Sequence, residues 1–246
     1  MQTKQFWDTQ ALNFPRYNET KDQFQQMLIS ILKEKNIITK KSSLLDIGCG
    51  TGIYTIPLAK NVKNIVALDI SSTMLNILKE DAWNNNLNNI IQTECSNWQD
   101  FNSDDKFDVV FASLSAAFND DNDFDKILNH SNKHVVFLDF IDTKGSNFEK
   151  LLFDKFGIKE QVFNDTEKIK QCLDFKKLKY STIPLTNHYV KTLDKKSAVV
   201  KIEELLNVSE FDKILSNEEI LELLQPLTID NKVKEEFNMK LELIYW

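Results

Sequence analysis

The sequence predicts an α/β fold: a doubly wound, seven-stranded, mostly parallel sheet with an antiparallel last strand, an N-terminal helical lid and a small helical insertion before that last strand. Three observations carry this expectation. Five short β-rich runs alternate with helical patterns along residues 44–140. Those runs are almost continuously apolar, as strands covered on both faces must be. The segments between them are long enough for crossover helices, which parallel neighbours require.

The elements follow in order. Residues 1–40 read as an N-terminal helical extension. Strands are expected at LLDIG (44–48), NIVALDI (64–70), NIIQTE (89–94), FDVVFAS (107–113) and HVVFLDF (134–140). Between the second and third, STMLNILKEDAWNNN places Met74, Leu75, Leu78 and Ala82 on one side of a helix whose start Ser71 or Ser72 can cap. Beyond residue 145 the alternation loosens. KYSTIPLTNHYV (179–190) reads as a sixth strand. The end, VKEEFNMKLELIYW (233–246), alternates Met239, Leu241, Leu243 and Tyr245, a period of two that suits an antiparallel strand. Between these, at about 191–228, KSAVVKIEELL and SNEEILELLQPL read as two or three short helices, with Ser216 and Glu219 as a capping box.

Composition narrows the class. With 246 residues and 42% hydrophobic content, the chain can bury one sizeable core. A net charge of −7 disfavours broad capture of nucleic acid. Cys49, Cys95 and Cys172 are odd in number and never paired as C-x-x-C, so neither a disulfide framework nor a metal site is expected. No apolar run is long enough to span a membrane, and MQTKQFWDTQ lacks the order of an export signal, so the expected location is the cytoplasm. Of 30 basic residues only Arg16 is arginine, which makes it a candidate for planar, bidentate binding of an acid.

The chemistry concentrates in LDIGCGTGI (45–53). A strand running into a glycine-rich turn and then a helix can present backbone N–H groups to a ligand. A dinucleotide loop has the pattern G-x-G-x-x-G. Here Gly48, Gly50 and Gly52 are spaced differently, and Ile53 stands at the third dinucleotide position. Asp46, two residues before the first glycine, repels a pyrophosphate and attracts an ammonium or sulfonium. Asp69 ends the second strand, where an acid accepts hydrogen bonds from both ribose hydroxyls. The loop therefore suits a ribose with positive charge and no phosphate.

LLDIGCGTGIYTIPLA followed by ALDISSTML resembles the class I S-adenosylmethionine-dependent methyltransferases, whose D-x-G-x-G-x-G loop and second-strand acid match Asp46, Gly48, Gly50, Gly52 and Asp69. The resemblance covers about residues 40–142. It implies a Rossmann-like domain over 1–246, divided into the extension 1–40, a cofactor-binding half 41–145 and a substrate-side half 146–246. It implies S-adenosylmethionine as cofactor, with the glycine loop, including Cys49, along the methionine part and Ile70 and Met74 flanking the adenine. After the third strand, TECSNW departs from the family's acid and small residue: Cys95 and Ser96 fall at those places, and Ser96, Asn97 or, after a one-residue shift, Glu94 takes the adenine amino group. The N-terminal segment, with Phe6, Trp7, Phe14 and Tyr17, is expected to fold over the cofactor, and Arg16 with Tyr17 to hold its carboxylate or a substrate acid.

The resemblance leaves the acceptor open. The acceptor should lie beyond the C-terminal ends of strands four and five. Strand four runs into FASLSAAFND without the N-P-P-Y-like tetrapeptide of enzymes that methylate base amines, which counts against nucleic-acid substrates. Ser113, Ser115, Ala116 and Phe118 would line a pocket of modest polarity. Asp139 or Asp142 could orient an acceptor, and His188 is the leading base candidate because its imidazole titrates near neutral pH. The expected activity is methyl transfer to a small-molecule acceptor by a monomer or homodimer. The alternatives are an RNA or protein methyltransferase, for which FKKLKY (175–180) is the basic candidate, a non-catalytic S-adenosylmethionine-binding regulator, and, more remotely, a nicotinamide dehydrogenase.

Overall fold

The computed structural model describes residues 3–19, 23–115, 121–142, 145–158, 165–209, 211 and 214–246. Among the described residues eight strands, β1 (Ser43–Ile47), β2 (Asn64–Asp69), β3 (Ile91–Cys95), β4 (Phe107–Ser113), β5 (Ser131–Phe140), β6 (Ser181–Leu193), β7 (Thr228–Ile229) and β8 (Lys232–Tyr245), form one sheet in the order β3-β2-β1-β4-β5-β8-β6, with β7 paired to β8. The pairs β1–β2, β1–β4, β2–β3 and β4–β5 are all parallel. The chain's end is antiparallel, since Val135 and Trp246 exchange both backbone hydrogen bonds, at 3.0 and 3.2 Å. The short β7, antiparallel to β8, falls where the sequence suggested only helices.

The helices are α1 (Lys4–Gln10), α2 (Gln23–Glu34), α3 (Thr55–Ala59), α4 (Ser72–Asn84), α5 (Asp121–His130), α6 (Asn147–Phe156), α7 (Asp165–Phe175), α8 (Lys195–Val208) and α9 (Asn217–Leu223). Local chemistry accounts for their starts. Ser71 caps α4 by accepting the Met74 N–H, and Ser216 with Glu219 forms the capping box of α9. A second box, Ser146 with Glu149, opens α6, which ends at Gly157 in the left-handed region at φ +71°. None of the described helices is long and apolar enough to cross a membrane.

The chain forms two compact bodies: residues 1–139, 168–183 and 243–246, and residues 140–167 and 184–242. Part of the expected substrate-side half, 168–183 and 243–246, thus goes with the first body. Its core packs Leu45, Ile47, Val110 and Phe137 of the parallel strands with Phe124, Ile127 and Leu173 of α5 and α7. The second body has its own core, built from Phe148 and Leu152 of α6, Ala198, Ile202 and Leu206 of α8, Ile220 of α9 and Val233 of β8.

Candidate functional site

A cavity opens at the C-terminal ends of β1, β2 and β4, where a doubly wound sheet reverses its winding. Its lining comes entirely from the first body: Trp7 and Phe14 from the N-terminal segment, residues 46–51, 53 and 54 around the glycine loop, Leu68 to Ile70 and Met74, residues 96–99, and Ser113 to Ser115.

The glycine loop is shaped by contact as well as by conformation. Gly48 has φ +73°, and a Cβ there would lie 2.2 Å from Ser115 Oγ; Gly52 has φ +86°, and its Cβ would meet Leu78 Cδ1 at 2.3 Å. Both positions exclude any side chain. Several of the loop's N–H groups, which the strand-turn-helix pattern offered to a ligand, are bonded within the protein. Gly48 and Cys49 both donate to the Leu68 carbonyl, at 2.8 and 3.0 Å, and Gly50 donates to Asp69 Oδ2 at 2.8 Å. α3 that follows is only five residues long. With the N–H groups of Gly48, Cys49 and Gly50 engaged, the turn is a poorer phosphate cradle than its glycine content suggests.

Two carboxylates remain to meet a ligand. Asp46 is buried at the end of β1 and accepts the Thr55 hydroxyl at 2.6 Å. Burial pushes it up to about 7, with the Thr55 hydrogen bond opposing and the Asp69 charge adding to the rise. The sequence placed this acid near the loop's mouth; it is instead 2% exposed. Asp69 is likewise raised by burial, opposed by the N–H groups of Ser71 and Gly50. Cys49 has a thiol that burial, then Asp46 and Asp69, push well above its ordinary value, so it stays protonated and fills space.

The remaining candidates separate by position. Ile70, Met74, Ser96, Asn97 and Ser113 reach the cavity. The Ser113 hydroxyl is buried and has no protein partner among the described residues. Next to it Leu114 is held in the left-handed region at φ +50°, its N–H bonded to the Leu138 carbonyl at 2.8 Å. Cys95 is not in the lining; its Sγ turns to the Ile70 carbonyl at 3.7 Å. Arg16 and Tyr17 are not in the lining either. Arg16 spans Asp81 and Glu80 of α4, and Tyr17 accepts from Lys60 Nζ at 3.0 Å, so both fasten the N-terminal segment from outside. Asp139 is buried near the end of β5 and does not line the cavity, whereas Asp142 lies 3.9 Å from Lys240 in the second body. His188 belongs to the second body as well, where it meets Glu236 at 2.6 Å on an exposed surface. Ala116 and Phe118 lie outside the described residues. Of the basic stretch FKKLKY, Lys176 pairs with Asp125.

Sequence reasoning missed Tyr54, Trp98, Gln99 and Leu114 in the lining. Trp98 ends the stretch TECSNW singled out after the third strand and Gln99 follows it directly, so reading that stretch one residue further would have reached both. Trp7 and Phe14, expected in a lid, do cover the cavity, with rings 6.2 Å apart and edge-on.

Residues 44–136 match the model of the family described as "Methyltransferase domain". Over that segment the chain matches the methyltransferase family, in line with the resemblance of its glycine loop to the class I S-adenosylmethionine-dependent methyltransferases. An uncharacterized protein of Haemophilus influenzae is 32% identical over 130 residues, 52% of this chain and 47% of its own length. The chain therefore spans about half the length of that relative. A malonyl-[acyl-carrier protein] O-methyltransferase 1 of Ilyobacter polytropus is 26% identical over 208 residues, covering 79% of this chain and 72% of the relative. Among solved structures, precorrin-6y C5,15-methyltransferase of Geobacter metallireducens has a TM-score of 0.54 at 12% identity, covering 95% of this chain and 93% of that one, a likeness in fold alone.

The cofactor of this family is S-adenosylmethionine, and the site's chemistry suits it. Asp46 is a buried carboxylate compensated, among the described residues, only by a hydroxyl, a place that a cation stabilises. Asp69 can hold a ribose, Ile70 and Met74 offer apolar walls for a purine, and the unpartnered Ser113 hydroxyl awaits a polar group.

Proposed function

We propose that this chain transfers the methyl group of S-adenosylmethionine to a small-molecule acceptor. The observation that carries the reading is the pairing of Asp46 and Asp69 in one cavity where the N–H groups of Gly48, Cys49 and Gly50 are already bonded within the protein. Such a wall favours a cationic nucleoside and disfavours a pyrophosphate. When bound, the cofactor supplies a methyl group on an already activated sulfur. The protein's part is alignment and exclusion of water: Asp46 holds positive charge, Asp69 the ribose, and Trp7 and Phe14 cover the cavity. Ser113 and Ser115 at the end of β4 orient the acceptor.

Support for a small acceptor comes from the aromatic cover, the net charge of −7 and the engagement of Lys176 with Asp125, which leaves FKKLKY a poor footing for RNA. The acyl-carrier-protein methyltransferase named among the relatives is compatible with a small carboxyl or acyl group as the methylated moiety. Calorimetry with S-adenosylmethionine, S-adenosylhomocysteine and NAD tests the cofactor; binding of the first two and none of NAD is expected, and a preference for NAD would overturn the reading. Methyl-labelled cofactor offered to small-molecule and RNA fractions tests the acceptor. Label is expected in the small-molecule fraction; label in RNA alone overturns the substrate class, and label nowhere points to a binding protein.

A further inference from the structure

Asp69 is held by the protein on both oxygens, and one of its donors is held in turn from the N-terminal segment. Gly50 N–H reaches Oδ2 and Ser71 N–H reaches Oδ1, each at 2.8 Å. Ser71 is fully buried. Its hydroxyl donates to Asp8 Oδ1 at 2.6 Å, while its oxygen accepts the Met74 N–H at 3.1 Å. The same Asp8 oxygen accepts the Thr73 N–H at 3.1 Å, and Lys4 pairs with the other.

A serine that caps a helix needs only its oxygen for that role, and its hydroxyl hydrogen is free to rotate. Donation to a carboxylate fixes that rotor with one of the stronger kinds of hydrogen bond. Asp8 thus commits the Ser71 hydroxyl away from Asp69, leaving only the Ser71 N–H to hold that carboxylate, and it does so from the helix that carries Trp7 over the cavity.

We propose that Asp8 is a positioning residue for the ribose of the cofactor, acting through Ser71 on the orientation of Asp69. The seating of the N-terminal segment and the orientation of the ribose acid are then linked, because Asp8 holds Ser71 and Ser71 holds Asp69. The inference rests on the reading of the cavity as an S-adenosylmethionine site.

The test compares S-adenosylhomocysteine with an analogue lacking the 2′ and 3′ ribose hydroxyls, each titrated into wild type, Asp8→Ala and Asp8→Asn. Asp8→Ala should weaken S-adenosylhomocysteine roughly tenfold, the scale of one hydrogen bond to a charged group, and leave the deoxygenated analogue within about threefold of wild type. Asp8→Asn keeps an acceptor oxygen for Ser71 and should restore most of the affinity. If Asp8→Ala weakens both ligands equally, Asp8 only fastens the segment and the relay is overturned; unchanged affinity for S-adenosylhomocysteine overturns it too. Should the alanine variant melt at a lower temperature, the ratio of the two ligands on that same variant still decides. Failure of wild type to bind S-adenosylhomocysteine removes the cofactor reading and the relay together.

Discussion

The two bodies of the molecule bury carboxylates under different terms. In the first, among the described residues, Asp46 has only the Thr55 hydroxyl, and Asp69 only two backbone N–H groups. In the second, Glu235 of β8 is equally buried, yet the rise that burial imposes on it is opposed by the charges of Lys191 and Lys201 and by the Ser146 hydroxyl, at 3.4 Å. A buried carboxylate with lysines at hand is offset by its own protein. One without them is stabilised when positive charge arrives from outside, and that difference marks the first body as the ligand-binding one.

The largest expected effect breaks or upholds this contrast directly. Asp46 has a folded value of about 7 against 3.8 ordinarily, so the folded protein binds more protons than the unfolded chain between those limits. The contribution of Asp46 to the stability of the ligand-free protein should be fully present below about pH 4 and fall by about 4 kcal/mol as pH rises through 7. Urea unfolding of wild type and Asp46→Asn should differ by that slope across the range; Glu235→Gln should change it less, because Lys191 and Lys201 already oppose its neutralisation. Cofactor affinity should run the other way, rising as Asp46 ionises.

Substitution of the loop comes next. Gly52→Ala should cost roughly 2–3 kcal/mol, from a left-handed backbone and a clash with Leu78, read as a lower melting temperature. Asp69→Ala should weaken S-adenosylmethionine by roughly 1–3 kcal/mol in calorimetry, and wild-type affinity would remove Asp69 from the site. The smallest effect is expected in the second body. His188→Gln loses an exposed pair worth less than about 1 kcal/mol. Labelled methyl transfer should proceed as in wild type; lost turnover with intact cofactor binding would restore His188 as a base.

Much of the first body was legible in the sequence. The run FDVVFAS coincides with β4, Ser71 caps α4 as its position suggested, and the Ser216 and Glu219 box opens α9. These features depend on residues within a few positions of each other. The errors involve distant partners. Arg16 looked like an acid-binding residue, but its partner Asp81 lies 65 positions away and took it to the outside of α4. Asp8 drew no attention between two aromatics and a threonine, because its partners Ser71 and Thr73 come more than 60 residues later.

By itself the sequence determined a parallel sheet, a glycine-rich turn after its first strand, and the acids Asp46 and Asp69 on either side of that turn, because periodicity, turn composition and capping act locally along the chain. Only the tertiary structure decided that the turn's N–H groups are spent on Leu68 and Asp69, that Asp46 is buried deeply enough to hold its proton near neutral pH, and that the N-terminal segment is tied to the ribose acid through Ser71. Each of those depends on which polar groups meet, and on how much water is excluded where they meet, when distant segments pack together.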